Sequence, residues 1–146
     1  MTTHPTIFVT LPVAEITASR TFWSTLGYSF NEQLSDDTAL CVAFSDSIFA
    51  MMLRRDRFET FTDKPVADAS STTQMLIGLT TPTRADVDTL VDAAVAAGGT
   101  ELHLPEVSME VRAFSDLDGH GWEIMWTDPR TAEPAAETGE PGSEPA

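Results

Sequence analysis

Apolar residues follow two different spacings along the chain, and each change of spacing marks a new element. Alternation with a period of two predicts a strand, whereas a stripe at i, i+3 and i+4 predicts an amphipathic helix. In the first half these spacings predict a strand, a helix and three more strands, at residues 7–13, 16–26, 28–33, 40–44 and 48–53. Gly27 follows the helix directly and is typical of a residue that ends one, because glycine tolerates a positive φ.

The same series of elements is predicted again in the second half. A strand at residues 74–81 precedes a helix with Thr83 as its N-cap and Asp86 near the positive end of its dipole. Gly98 and Gly99 end this helix, and three strands follow at residues 101–104, 110–114 and 121–126. The tetrapeptide Ala-Phe-Ser-Asp closes the third strand of both halves, at residues 43–46 and 113–116. The matching order of elements indicates an internal repeat.

The repeat predicts an α+β fold made of two tandem βαβββ units. The predicted domain covers residues 6–128, with units at 6–54 and 73–128. The segment between them, residues 55–72, has no sustained period and is predicted to be a linker or a mobile flap. Residues 1–5 are predicted to be a frayed arm. Residues 129–146 contain no large apolar side chain and are predicted to be a disordered acidic tail.

Composition limits the classes of partner and the compartment. The chain has 146 residues, which is enough for one domain or two small fused halves, and a formal net charge of -15. Such a charge argues against nucleic acids and anionic membranes as partners. No apolar run approaches the ~20 residues that span a bilayer. The polar N-terminus does not resemble a signal peptide, and Cys41 is the single cysteine, so we expect a cytoplasmic protein.

The last predicted strand carries the most distinctive chemistry. Its large apolar residues Trp122, Ile124 and Trp126 share one face, which must be buried, and Glu123 and Met125 share the other. Glu123 then has two interpretations. It is either a solvated carboxylate on an open sheet face, or an acid, base or metal ligand in a cavity.

Three features together resemble the vicinal oxygen chelate superfamily, which includes glyoxalase I, bleomycin-resistance proteins and extradiol dioxygenases. They are the two βαβββ units, the opening residues 8–13 (Phe-Val-Thr-Leu-Pro-Val) and the closing residues 118–123 (Asp-Gly-His-Gly-Trp-Glu). The resemblance covers residues 6–128. It implies curled mixed sheets around a cavity, with helices on the outer face, and often a dimer.

The resemblance also implies four metal-ligand positions, on the first and last strands of each unit. They fall on Phe8, Ala50, Leu76 and Glu123, with Gln74 one pleat before Leu76. Glu123 is the single strong ligand among them, and a divalent ion needs three or four. The histidines at positions 4, 103 and 120 do not obviously complete the set, so we expect no cofactor. A divalent metal bound by Glu123 is the alternative.

The leading functional hypothesis is a metal-free protein that binds a small molecule in the cavity. The residues predicted to face the ligand are Phe8, Thr10, Ala50, Met52, Gln74, Leu76, Glu123 and Met125. Glu123 would orient the ligand, and Phe58 and Phe61 of the flap would close over it. The acidic surface weakly favours a cationic ligand, as in sequestration of the bleomycin type.

Two other hypotheses make the protein an enzyme. Glu123 in a partly apolar pocket has the setting of a general base for an isomerase or lyase reaction. Alternatively, Glu123 is a metal ligand of a glyoxalase-like or dioxygenase-like enzyme. In each case we expect a homodimer with two equivalent cavities, because the edges of half-open sheets and the apolar flap residues need cover.

Overall fold

The structure, a computed structural model, describes residues 1–105 and 110–132. The first unit consists of β1 (Ile7–Val13), α1 (Ile16–Thr25), β2 (Ser29–Phe30), a 3-10 helix (Glu32–Leu34), β3 (Ala39–Ala43) and β4 (Ile48–Arg54). The flap begins with α2 (Arg55–Glu59). The second unit consists of β5 (Leu76–Thr80), α3 (Arg84–Ala96), β6 (Thr100–Leu102), β7 (Glu110–Ser115) and β8 (Gly121–Trp126), and α4 (Pro129–Ala132) follows it.

Each unit forms a four-stranded mixed sheet. The strand orders are β1-β4-β3-β2 and β5-β8-β7-β6. In both sheets the first and last strands of the unit pair in parallel, and the other neighbours are antiparallel. The predicted α+β fold of two βαβββ units is therefore confirmed. None of the helices in the described ranges is long and apolar enough to span a bilayer.

Local hydrogen bonds explain why some elements differ from the prediction. The strand predicted at residues 28–33 ends at Phe30, because the Asn31 side chain accepts hydrogen bonds from the amides of Gln33 and Leu34 and starts the 3-10 helix. At α3 the predicted cap is present, since the Thr83 hydroxyl accepts from the amide of Asp86 at 3.3 Å.

Both segments predicted to lack secondary structure contain a short helix. α2 occupies the first five residues of the flap. The predicted disordered tail begins with the four-residue helix α4, and its remainder, residues 133–146, lies outside the described residues.

One hydrophobic core joins the two units. Trp23 of α1 packs edge-on against Trp122 of β8, with ring centroids 4.8 Å apart. The ring of Phe22 packs against that of Phe114 in β7, with centroids 6.1 Å apart. Trp122 and Ile124 are fully buried, so the predicted face assignment of β8 is correct. Helix α1 of the first unit therefore packs against the sheet of the second unit as well as against its own.

A tight turn before β8, residues 116–121, is organised by one buried carboxylate; we call it the closing turn. Oδ1 of Asp116 accepts hydrogen bonds from the amides of Asp118 and His120, at 2.9 and 3.0 Å. Its Oδ2 accepts from Nε1 of Trp122 at 3.0 Å. Gly119 has a φ of 93°, which favours glycine. The turn is thereby tied to the core through Trp122.

Two hydrogen bonds fasten the closing turn to the end of β1. The amide of Ala14 donates to Oδ1 of Asp118 at 2.8 Å. Nε2 of His120 lies 2.7 Å from the carbonyl oxygen of Pro12, and it must be the donor because a carbonyl only accepts. Burial raises the pKa of Asp118, and the nearby Asp116 carboxylate acts in the same direction. These contacts fix the relative position of the two units next to the cavity described below.

Replacing Trp122 by alanine is expected to lower the free energy of unfolding by about 3–5 kcal/mol, because a large buried aromatic leaves a cavity. Trp126→Ala is the matched control and should cost less, since Trp126 is only partly buried. Denaturant titration of both variants measures the difference. A loss for Trp122→Ala that is no larger than that for Trp126→Ala would contradict the expectation that the fully buried tryptophan contributes more to stability.

Replacing Asp118 by asparagine is expected to stabilise the protein at neutral pH. The raised pKa means that the fold disfavours the charged carboxyl, whereas asparagine keeps an oxygen for the Ala14 amide. The charged Asp118 therefore destabilises the wild type at pH values above its raised pKa in the folded protein. This destabilisation disappears as the pH falls below the pKa of an ordinary aspartate, ~3.9. The gain of D118N should therefore vanish in acid.

Unfolding free energies of wild type and D118N, measured across the acidic to neutral range, test this expectation. Asp46→Asn removes the same charge from an exposed side chain and controls for the effect of net charge. A D118N protein that is less stable than wild type at pH 7 would contradict it.

Candidate functional site

The flap lies directly against the closing turn. A Cβ atom on Gly119 would sit 2.5 Å from the carbonyl oxygen of Ala69, so only glycine allows this approach. Within the flap, Nη2 of Arg55 donates to the carbonyl of Val66 at 2.8 Å. The Asp68 side chain accepts from the amide of Ser70 at 2.9 Å. The later part of the flap is thus bonded to its first residue, Arg55 of α2, and packs against the closing turn.

A cavity of about 340 Å³ lies between the flap, the end of β1 and the closing turn. The flap supplies one wall, with Phe58, Thr62, Lys64, Pro65, Val66, Ala67, Ala69 and Thr72. The opposite wall is formed by Thr10, Leu11, Pro12, Gly119, His120 and Gly121, and the residues leading into β5 complete the lining with Thr73, Gln74 and Met75.

The cavity combines apolar walls with a few polar groups. Its polar side chains are mainly hydroxyls and the amide of Gln74, and its ionisable ones are Lys64 and His120. No aspartate or glutamate lines it in the described part of the chain. Such a lining can enclose an apolar body and place one or two of its polar atoms.

Some of the sequence-predicted site residues reach this cavity and others do not. Thr10 and Gln74 line it. Phe8, Leu76, Glu123 and Met125 lie outside the lining, on the side of each sheet that faces away from the core; we call this side the open face. The structure therefore places two of these six residues at the cavity and four on an open sheet surface.

The prediction that Ala50 and Met52 face a ligand is wrong. In the parallel ladder they pair with Val9 and Leu11, and both are fully buried in the core. The residue of β4 beside Thr10 on the open face is Met51. The ligand position predicted on β4, Ala50, was one residue away from the open-face residue Met51. A shift of one residue exchanges the two faces of a strand.

Glu123 is half-buried on the open face of the second sheet. Its ladder partners are Gly78 and Ala113, which offer no charged or polar side chain. Met125 lies across Gly78, where a Cβ would meet its terminal methyl carbon at 2.6 Å. Glu123 has no ion pair or hydrogen bond to any described side chain, and Gly121, one pleat before it, lies at the edge of the cavity.

The residues at the predicted metal-ligand positions do not fit a divalent cation. Phe8, Ala50 and Leu76 cannot coordinate one, which leaves Glu123 as the single strong ligand. His120 already donates to Pro12. Within the described ranges, no three His, Cys, Asp or Glu side chains are grouped so that they could hold an ion. The donor set is one carboxylate, which is too few for a stable site.

The flap contributes differently from the prediction. Phe58 lines the cavity, whereas Phe61 is 69% exposed and does not. Sequence reasoning missed Lys64 and His120 as cavity residues. For Lys64 the available signal was that it is the single lysine of a strongly acidic chain. For His120 it was the position between two glycines, directly before the last predicted strand.

Solved structures of known proteins share this fold. A glyoxalase-related enzyme from Fulvimarina pelagi has a TM-score of 0.70 and 20% identity, over 82% of this chain and 86% of that chain. A glyoxalase/bleomycin resistance protein/dioxygenase family enzyme from Burkholderia phytofirmans has a TM-score of 0.66 and 19% identity, over 82% and 95%. The fosfomycin resistance protein FosX from Listeria monocytogenes, complexed with Mn(II) and sulfate, has a TM-score of 0.62 and 14% identity, over 85% and 90%.

Sequence comparison adds no closer relative, since no family model and no curated protein matches the chain. Identities of this size establish a shared architecture. The order of elements, the two mixed sheets and the parallel pairing of first and last strands agree with that architecture. The chain therefore has the fold of the vicinal oxygen chelate superfamily, which includes glyoxalase-like, bleomycin-resistance and fosfomycin-resistance proteins.

Proposed function

We propose that this chain binds a small molecule in the cavity between the flap and the closing turn, without a full metal site. The observation that carries the proposal is the cavity itself. Its volume of about 340 Å³ lies at the lower end of the range for small-molecule sites. Phe58, Pro65 and Met75 supply apolar walls, and hydroxyl and amide groups supply a few polar anchors.

The walls of the cavity are held in place by contacts that need no ligand. His120 is bonded to Pro12, and the closing turn is bonded to Asp116 and through it to Trp122. The flap packs on Gly119. A site whose walls are already ordered loses less conformational entropy on binding, and this supports binding as the function.

Glu123 remains the candidate for chemistry beyond binding. It lies one pleat beyond Gly121 on the same face of β8, so a ligand that extends from the cavity along the sheet would meet its carboxylate. There it would orient the ligand or act as the general base of a lyase or isomerase. Recovery of the bound ligand after incubation separates the two roles, because a binding protein returns it unchanged and an enzyme returns a product.

We also propose that the open faces are covered by a second copy of the chain. Phe8 and Leu76 are 49% and 47% exposed on the open faces, and Phe8 stacks on Phe49 with centroids 5.0 Å apart. Apolar side chains grouped in this way at a surface are typical of an interface. A two-fold dimer would bury them on both copies at once.

Filling the cavity is expected to abolish binding without unfolding the protein. Thr10 is exposed to the cavity and makes no side-chain hydrogen bond to a described residue, so Thr10→Trp should fold and occupy the space. A library of small aromatic and aliphatic molecules, screened by ligand-observed NMR, should give binders to the wild type that T10W no longer binds.

The control for this screen is Thr6→Trp, which places the same side chain at an exposed position just before β1 and outside the cavity. T6W should retain the binders of the wild type. Binders that T10W retains at full affinity would place the site elsewhere and sink the proposal.

The dimer is tested by a charge placed on the open face. Light scattering of the wild type at physiological salt should give twice the single-chain mass of 15.8 kDa. Phe8→Glu should shift the mass toward that of one chain, because two charges would be buried at the interface. Val95→Glu, on an exposed position of α3, should leave the mass unchanged. A wild type that scatters as a single chain would refute the dimer.

A further inference from the structure

The cavity differs in charge from the rest of the molecule. The chain has 23 acidic residues against 8 lysines and arginines. Acidic side chains are therefore the expected neighbours of any surface depression. Yet the described residues that line the cavity include Lys64 and His120, and none of them is an aspartate or glutamate. The described lining of the cavity is thus free of carboxylates, although the chain as a whole is acidic.

The pairing of the basic side chains singles out Lys64. Every arginine forms an ion pair with a carboxylate, at positions 20, 54, 55, 57, 84, 112 and 130. Lys64 is the single lysine, and its side chain makes no ion pair or hydrogen bond with any residue in the described ranges. The lining thus contains a cationic side chain that no carboxylate of the described residues pairs with.

Uncharged donors share the lining with this cation. The hydroxyls of Thr10 and Thr73 and the amide of Gln74 line the cavity and have no hydrogen-bond partner among the described residues. Hydroxyls and amides can all donate to a carboxylate oxygen. The remaining wall, with Phe58 and Pro65, suits an apolar body.

We propose that the ligand is a small organic anion, with an apolar body against Phe58 and a carboxylate paired with Lys64. This inference rests on the proposed function and names its ligand class. A carboxylate fits better than a phosphate group, because the cavity offers one ammonium and no guanidinium fork. A cation, which surface acidity alone would favour, would lie beside Lys64 with no carboxylate of the described lining to compensate it.

The test uses pairs of ligands that differ only in charge. Benzoate, 3-phenylpropanoate and 2-naphthoate are titrated into the full chain alongside their primary amides. We expect at least one acid to bind about fivefold more tightly than its amide, the size of one partly exposed charge pair. Lys64→Gln should remove this preference, and Lys64→Arg should retain it. Arg130→Gln, which removes one charge from an exposed side chain outside the cavity, should leave it unchanged.

A second readout follows from Lys64 being the single lysine. Reductive methylation with ¹³C-formaldehyde labels its ε-amine and the N-terminal amine and keeps the positive charge. The Lys64 signal should shift when the acid is added and stay in place when the amide is added. A structural effect of the Lys64→Gln change would not produce this difference in the wild-type chain.

The outcomes separate this inference from the proposed function. If acid and amide bind equally, or if Lys64→Gln keeps the preference, the assignment of an anionic ligand is overturned. If none of these acids binds while other molecules bind to the wild type and not to T10W, the cavity is a binding site of another class. If nothing binds to the cavity, the proposed function itself fails.

Discussion

The hydrogen bond between the indole of Trp122 and the carboxylate of Asp116 is the interaction on which the site depends. The donor, Trp122, is fully buried in the shared core. The acceptor, Asp116, is the carboxylate that organises the closing turn. The closing turn positions His120 to bond Pro12 and places Gly119 against the flap. A core contact thereby sets the position of both walls of the cavity.

The cavity also shows how little the total charge of a protein says about one site. Most carboxylates lie on the surface, where solvent and salt screen them over about 8 Å. Several are further neutralised by arginine, as in the cluster where Arg112 meets Asp88, Asp92 and Glu101. The lining of the cavity therefore differs from the surface as a whole, and the unpaired charge among its described residues, that of Lys64, is positive.

The fold could be predicted because the two units repeat the same alternation of apolar residues. The face of β8 was predictable because Glu123 interrupts an apolar strand and marks its side. β4 has no such mark, since all five residues from 49 to 53 are apolar, and the prediction placed Ala50 and Met52 on the wrong face.

The cavity itself could not be predicted from the sequence for a related reason. Half of its lining comes from the flap, which has no period that places a side chain. The role of Lys64 depends on which carboxylates lie near it, and that is a property of tertiary contacts. His120 has its partner 108 residues away in the chain, and no local pattern reports such a contact.

The shared core gives equivalent residues of the two repeated halves different surroundings. The same tetrapeptide ends in Asp46, exposed in the first unit, and in Asp116, buried in the second. Trp23 of the first half and Trp122 of the second are each other's packing partners. A polypeptide that contained one half alone would therefore expose to water a tryptophan that is buried in the whole chain. In two fragments produced by a cut within the flap, burial of these tryptophans would couple folding to association.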